Sequence, residues 1–143
     1  MAQYAVEKDM ALGAKVITVS DSGGTVVDED GFTNNKLAEL MEVKNDLYGR
    51  VSDYAKRTGA KFHANVRPWH VAVEVALPCA THNELDATDA ARLVKNGVIC
   101  VAEGANMPLT LDAAQVLESN GVLYAHGKGS IAGCVATSHP GWK

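Results

Sequence analysis

Two stretches decide the fold: Val75-Ala76-Leu77-Pro78-Cys79-Ala80-Thr81 and Val98-Ile99-Cys100-Val101-Ala102-Glu103-Gly104-Ala105-Asn106. Each opens as a short apolar run, the pattern of a strand buried on both faces, and then breaks into small and polar residues. Between them, Asn83 to Gly97 carries Leu85, Ala90, Ala91, Leu93 and Val94 at helical spacing. Two parallel strands joined by one crossover helix make a βαβ unit. In open parallel sheets, ligands bind outside the carboxyl ends of the strands. The turns after these two strands are therefore where function is expected.

Working outward, the same alternation continues. Residues 2 to 12 read as a helix with Tyr4, Ala5, Met10, Ala11 and Leu12 on its apolar face and Gly13 as its C-cap. Ala14 to Val19 read as a strand, Ser20 to Gly24 as a turn-rich loop, and Thr25 to Val27 as a short strand. Thr33 is placed to cap a helix through Leu37, Leu40, Met41 and Lys44. A second helix covers Val51 to Arg57 and stops at Gly59; Lys61 to Ala64 follow as a strand and Arg67-Pro68-Trp69 as a loop. Beyond the opening pair, Leu111 to Ser119 read as a helix with Asp112 in its first turn. Val122 to Ala125 read as the last strand, and Gly127 to Gly133 open a final helix. There is no linker and no repeat, so the expectation is one α/β domain with a mostly parallel sheet. One oddity is that it opens with a helix where such domains open with a strand.

Bulk properties narrow the function classes. The 143 residues are 47% hydrophobic and 21% charged, ordinary for a globular domain with a real core. A net charge of -4 argues against a nucleic-acid or anionic-membrane binder driven by charge. No apolar run approaches the ~20 residues of a membrane-spanning helix, and the N-terminus lacks a signal-peptide profile. Cys79, Cys100 and Cys134 are odd in number and lack zinc spacing, so they read as reduced, mostly buried thiols of a cytoplasmic protein. His63 and His70 flank Pro68 and read as surface-loop residues. The histidines and carboxylates show no triad, dyad or metal spacing, so no catalytic residue and no metal ligand is assigned.

Three motifs carry a resemblance. Ser20-Asp21-Ser22-Gly23-Gly24-Thr25-Val26-Val27-Asp28, Ala76-Leu77-Pro78-Cys79-Ala80-Thr81-His82-Asn83-Glu84-Leu85 and Ala102-Glu103-Gly104-Ala105-Asn106-Met107-Pro108 resemble the nucleotide-binding domain of NADP-specific glutamate dehydrogenases, the bacterial hexameric type nearest. The resemblance runs from Ala2 to about Ser138, in order and with the right gaps. It implies a Rossmann-like, mostly parallel sheet with helices on both faces, truncated at its first strand. Residues 1–143 would then be a partial NADP-binding domain. It further implies that Ser20, Asp21 and Ser22 face the adenosine ribose, where a 2'-phosphate is sorted from a 2'-hydroxyl. Ala80, Thr81 and His82 would let the dinucleotide approach and would hydrogen-bond it, His82 standing where the family has Gln. Asn83 and Glu84 would cap the next helix. Gly104 and Asn106, with Ala105, would meet the nicotinamide riboside, and Glu103 would be either a ligand contact or a structural partner. Val135 and Ser138 would contact substrate.

The resemblance also has gaps. Ile131 replaces an Asn, Cys134 a Gly and His126 a Pro, and His139 to Lys143 do not match. Ile131 cannot make the hydrogen bonds of an amide. No G-x-G-x-x-G occurs, the strand before that loop would lie upstream of Ala2, and the substrate domain with its catalytic Lys and Asp has no counterpart; Lys128 is not that Lys. The implied activity is reversible oxidative deamination of L-glutamate to 2-oxoglutarate and ammonia with NADP, this segment being inactive alone. A catalytically dead nucleotide-binding or interaction module, or a gene fragment without function, remain open as alternatives. The expected partners are NADP and L-glutamate or 2-oxoglutarate, with no nucleic acid or membrane. A sheet short of its central strand is also expected to self-associate through exposed edges.

Overall fold

Short amphipathic segments punctuated by glycine build two compact units, Ala2–Pro68 and the chain from Trp69 onward. The computed structural model describes residues 1–133.

The first unit contains α1 (Ala2–Ala11), β1 (Thr18–Asp21), β2 (Gly24–Val27), α2 (Asn34–Met41), a π-helical turn (Glu42–Asp46), α3 (Val51–Thr58) and β3 (Lys61–Ala64). Its sheet runs β1-β2-β3 with both pairings antiparallel. The loop expected over Ser20–Gly24 is instead a tight hairpin, in which Asp21 pairs directly with Gly24. A two-residue connection can join only antiparallel strands, which is why the parallel pattern fails here. Gly24 is required: its φ is +144°, and a Cβ there would run into the His63 carbonyl and the Phe62 ring. β1 also begins later than expected. The carbonyls of Val16 and Ile17 are taken by the amides of Phe32 and Asp28, both at 2.8 Å, so this stretch braces the turn between β2 and α2. Thr33 caps α2 through Lys36 N, and Gly59 ends α3 in the left-handed conformation, both as expected. Val6, Val26, Phe32, Leu37, Leu40, Val43, Val51 and Tyr54 form the core.

The second unit contains β4 (Val75–Ala76), α4 (Ala87–Lys95), β5 (Cys100–Ala102), α5 (Leu111–Ser119), β6 (Leu123–Ala125) and α6 (Gly127–Ser130). Its sheet runs β4-β5-β6 and is parallel throughout, as the opening motif requires. The chain is thus α/β as expected, with its parallel pairing confined to this unit. Ala76, Leu85, Ala90, Leu93, Val101, Leu109, Ala113 and Leu117 form the core, with Trp69 packed among them.

Two expectations change in this unit. The crossover helix starts at Ala87, capped by Asp86 through Asp89 N at 2.9 Å, so Asn83 and Glu84 are not its caps. Leu85 instead bridges in parallel to Leu109, its amide donating to Pro108 O and its carbonyl accepting from Thr110 N. That pairing holds residues 83–85 extended and delays the helix. Burial on both faces also fails: Val75 is 50% and Leu123 70% exposed, while Ala76 and Val101 on the opposite face are buried. Among the described residues, β3 and β6 each have one unpaired edge, and so do β1 and β4 on the sides away from β2 and β5.

Candidate functional site

The candidate residues fall into two groups, one in each unit. In the first unit they sit at the tip of the β1–β2 hairpin, where Ser20 and Ser22 are exposed and Asp21 is half-buried. The Asp21 carboxylate turns inward. Its Oδ1 accepts from Gly23 N at 2.8 Å, and its Oδ2 accepts from Val51 N at 3.0 Å and from Lys44 Nζ at 3.1 Å. Burial alone would raise its pKa, but the two amides and the Lys44 ammonium together hold it below the usual carboxylate value. Asp21 therefore ties the hairpin tip to the start of α3 and to the π-helical turn that carries Lys44.

Ser22 faces outward, and its Oγ accepts from Arg50 Nη1 at 2.6 Å. Arg50 itself stands at the N-cap of α3, where its amide donates to Asp53 Oδ2 at 3.0 Å. The tip thus offers an exposed hydroxyl and an exposed guanidinium side by side, with the Asp21 carboxylate paired to Lys44 and the Asp53 carboxylate, at the Arg50 amide, paired to Lys56. A guanidinium fork matches the geometry of a phosphate. Sequence reasoning missed Lys44 and Arg50. Nothing in the sequence around Arg50 points 28 positions back to Ser22.

In the second unit the candidates lie beyond the carboxyl ends of β4 and β5. Ala80, Thr81 and His82 form an exposed turn, closed by Ala80 N donating to Glu84 Oε1 at 3.1 Å. Gly104 N donates to Pro78 O at 2.9 Å, and Asn83 N donates to Met107 O at 3.0 Å. These bonds draw Ala80–His82 and Gly104–Asn106 into one surface, with Asn106 exposed upon it. A Cβ at Gly104 would land on the Cys79 sulfur, so a side chain there would force Cys79 to turn away.

Glu103 proves to be a structural partner. It is 6% exposed, and its carboxylate accepts from Tyr124 Oη at 2.5 Å and from Gly127 N at 2.6 Å. Its own carbonyl accepts from Ser130 Oγ. Burial, and then the adjoining Glu103 carboxylate, push the Tyr124 phenol well above its ordinary pKa. Val135, Ser138 and Cys134 lie outside the described residues.

In the second unit, small residues and exposed hydrogen-bonding groups gather at parallel strand-ends; in the first, a hydroxyl and a guanidinium share the hairpin tip. The sequence model of glutamate/leucine/phenylalanine/valine dehydrogenases matches residues 1–143. The chain belongs to this dehydrogenase family. It is 56% identical over 138 residues to the NADP-specific glutamate dehydrogenase of Haemophilus influenzae, spanning 96% of this chain and 31% of that protein. The Escherichia coli NADP-specific enzyme is equally similar, at 56% over 138 residues and with the same coverage. Among solved structures, Plasmodium falciparum glutamate dehydrogenase superposes with a TM-score of 0.93 at 43% identity, over 96% of this chain and 30% of that one. The chain therefore spans about a third of the length of the dehydrogenases it matches.

Proposed function

We propose that residues 1–143 form the NADP-holding part of a glutamate dehydrogenase, an enzyme that reversibly converts L-glutamate to 2-oxoglutarate and ammonia. The observation that carries the cofactor choice is the Ser22–Arg50 pair beside an Asp21 neutralised by Lys44. A free carboxylate at this position would repel a 2'-phosphate and favour a 2'-hydroxyl. Here the carboxylate is spent on internal bonds, and the outward groups are a hydroxyl and a guanidinium. Bound there, NADP supplies the hydride acceptor. This chain's own residues do the holding: Ser22 and Arg50 take the 2'-phosphate, with Ser20 beside them and Asp21 orienting the tip. Thr81 and His82 hydrogen-bond ribose or phosphate beside the small Ala80. Asn106 meets the nicotinamide riboside, which Gly104 allows to approach. Val135 and Ser138 are proposed to touch the substrate.

Titrating the chain with NADP and with NAD tests the reading. NADP is expected to bind more tightly, and Arg50→Ala to weaken NADP by about tenfold or more while leaving NAD unchanged, because a charged hydrogen bond is worth about 1.5–3 kcal/mol. Equal affinity for the two dinucleotides, or no saturable NADP binding, would sink the proposal.

A further inference from the structure

We propose that Glu103 is a positioning residue for the nicotinamide end of this surface, an inference that rests on the cofactor reading above. A buried carboxylate has to be matched by donors, and Glu103 finds them in two elements that follow it in the chain. Tyr124 lies within β6, and Gly127 opens α6. The Glu103 main chain joins the same set, its amide donating to Ala125 O at 3.0 Å and its carbonyl accepting from Ser130 Oγ. One residue therefore ties the carboxyl end of β5 to the carboxyl end of β6 and to both ends of α6.

The turn that would meet the cofactor begins at the next residue. Gly104 is bonded on its other side to Pro78 O. Ala105 presses its carbonyl against Gly127 so closely that a Cβ on Gly127 would sit 2.8 Å from it and 2.9 Å from Glu103 Oε2. The shape of Gly104–Asn106 thus depends on where Gly127 is held, and Glu103 holds it. The side chain need not touch the dinucleotide to act. It sets the turn that does.

Glu103→Gln tests this with little change of volume. The amide is uncharged, so the two charge-assisted bonds become at best a neutral bond from Gly127 N and a reversed one from Nε2 to Tyr124 Oη, each weaker. In the full chain, the Gly104 and Gly127 amides are expected to exchange hydrogen about tenfold faster, while amides of the α4 and α5 core stay within about twofold. NADP should bind about tenfold more weakly, and adenosine 2'-monophosphate, which reaches only the Ser22–Arg50 tip, should bind as before. Unchanged exchange at Gly104 and Gly127 would overturn the inference. So would an equal loss of affinity for both ligands, which marks a general structural effect. A wild-type chain that ignores NADP overturns the cofactor reading, a separable result, because amide exchange reads the clamp without ligand. If Glu103→Gln fails to fold, Tyr124→Phe removes one of the two bonds and should produce the same pattern at smaller size; no change there counts against the clamp.

Discussion

Gly127 is a position where the space, and not the backbone angle, demands glycine. Its neighbours are the Ala105 carbonyl and the Glu103 carboxylate, and neither is the free end of a flexible chain. Gly127→Ala is expected to destabilise the chain by about 1–3 kcal/mol, the range for forcing a methyl into packed surroundings, as read by urea denaturation. Asp21 makes a different prediction, through pH. Its folded pKa lies below the unfolded value of 3.8, so the stability it contributes is complete above that value. It is lost as the pH falls through the lower folded pKa. Melts of wild type and Asp21→Asn from neutral to strongly acid pH should show a wild-type advantage that is constant at neutral pH and vanishes at the acid end. A constant difference at every pH would contradict the role assigned to Lys44 and the two amides. Neither residue could be given this role from its neighbours in sequence. Gly127 stood in a Gly- and Ser-rich stretch, and Asp21 read as a group facing ribose.

At the scale of elements, helix ends were legible where the deciding interaction lies within the helix's own turn. Thr33 before α2 and Gly59 after α3 act within one helical turn. Where a non-local bond intervened, the boundary moved. The apolar spacing that begins at Leu85 suggested a helix from Asn83, yet Leu85 is held by Pro108 and Thr110, and the helix waits for Asp86. Asp86→Ala should therefore cost about 1 kcal/mol in thermal or urea unfolding, and Glu84→Ala should leave α4 intact. The helix read from Thr33 through Lys44 likewise changes character at Glu42, where a π-helical turn begins. That turn places Lys44 toward Asp21, and the periodicity of Leu37, Leu40 and Met41 contains no hint of it.

On the scale of the whole molecule, the chain covers about a third of the length of the dehydrogenases it matches, and its sequence assigns no catalytic acid–base pair. The purified 143-residue chain is expected to show no glutamate-dependent reduction of NADP, followed by the absorbance of the reduced nicotinamide. Robust turnover would mean that the reacting groups lie within these residues after all. Light scattering across a concentration series should also show self-association, because β1 and β4 each present an unpaired edge among the described residues. Strictly monomeric chain at high concentration would argue that those edges are blunted. By itself the sequence determined the family, the alternation of helices and strands, and the parallel strand-ends of the second unit, because each is written in local spacing and contiguous motifs. Only the tertiary structure decided the chemistry of the surface: Arg50 on Ser22, Lys44 on Asp21 and Glu103 on Gly127 join residues 28, 23 and 24 positions apart. Local pattern cannot carry that information, since a side chain's partner at such distances is chosen by how the elements pack and not by what stands beside it in the chain.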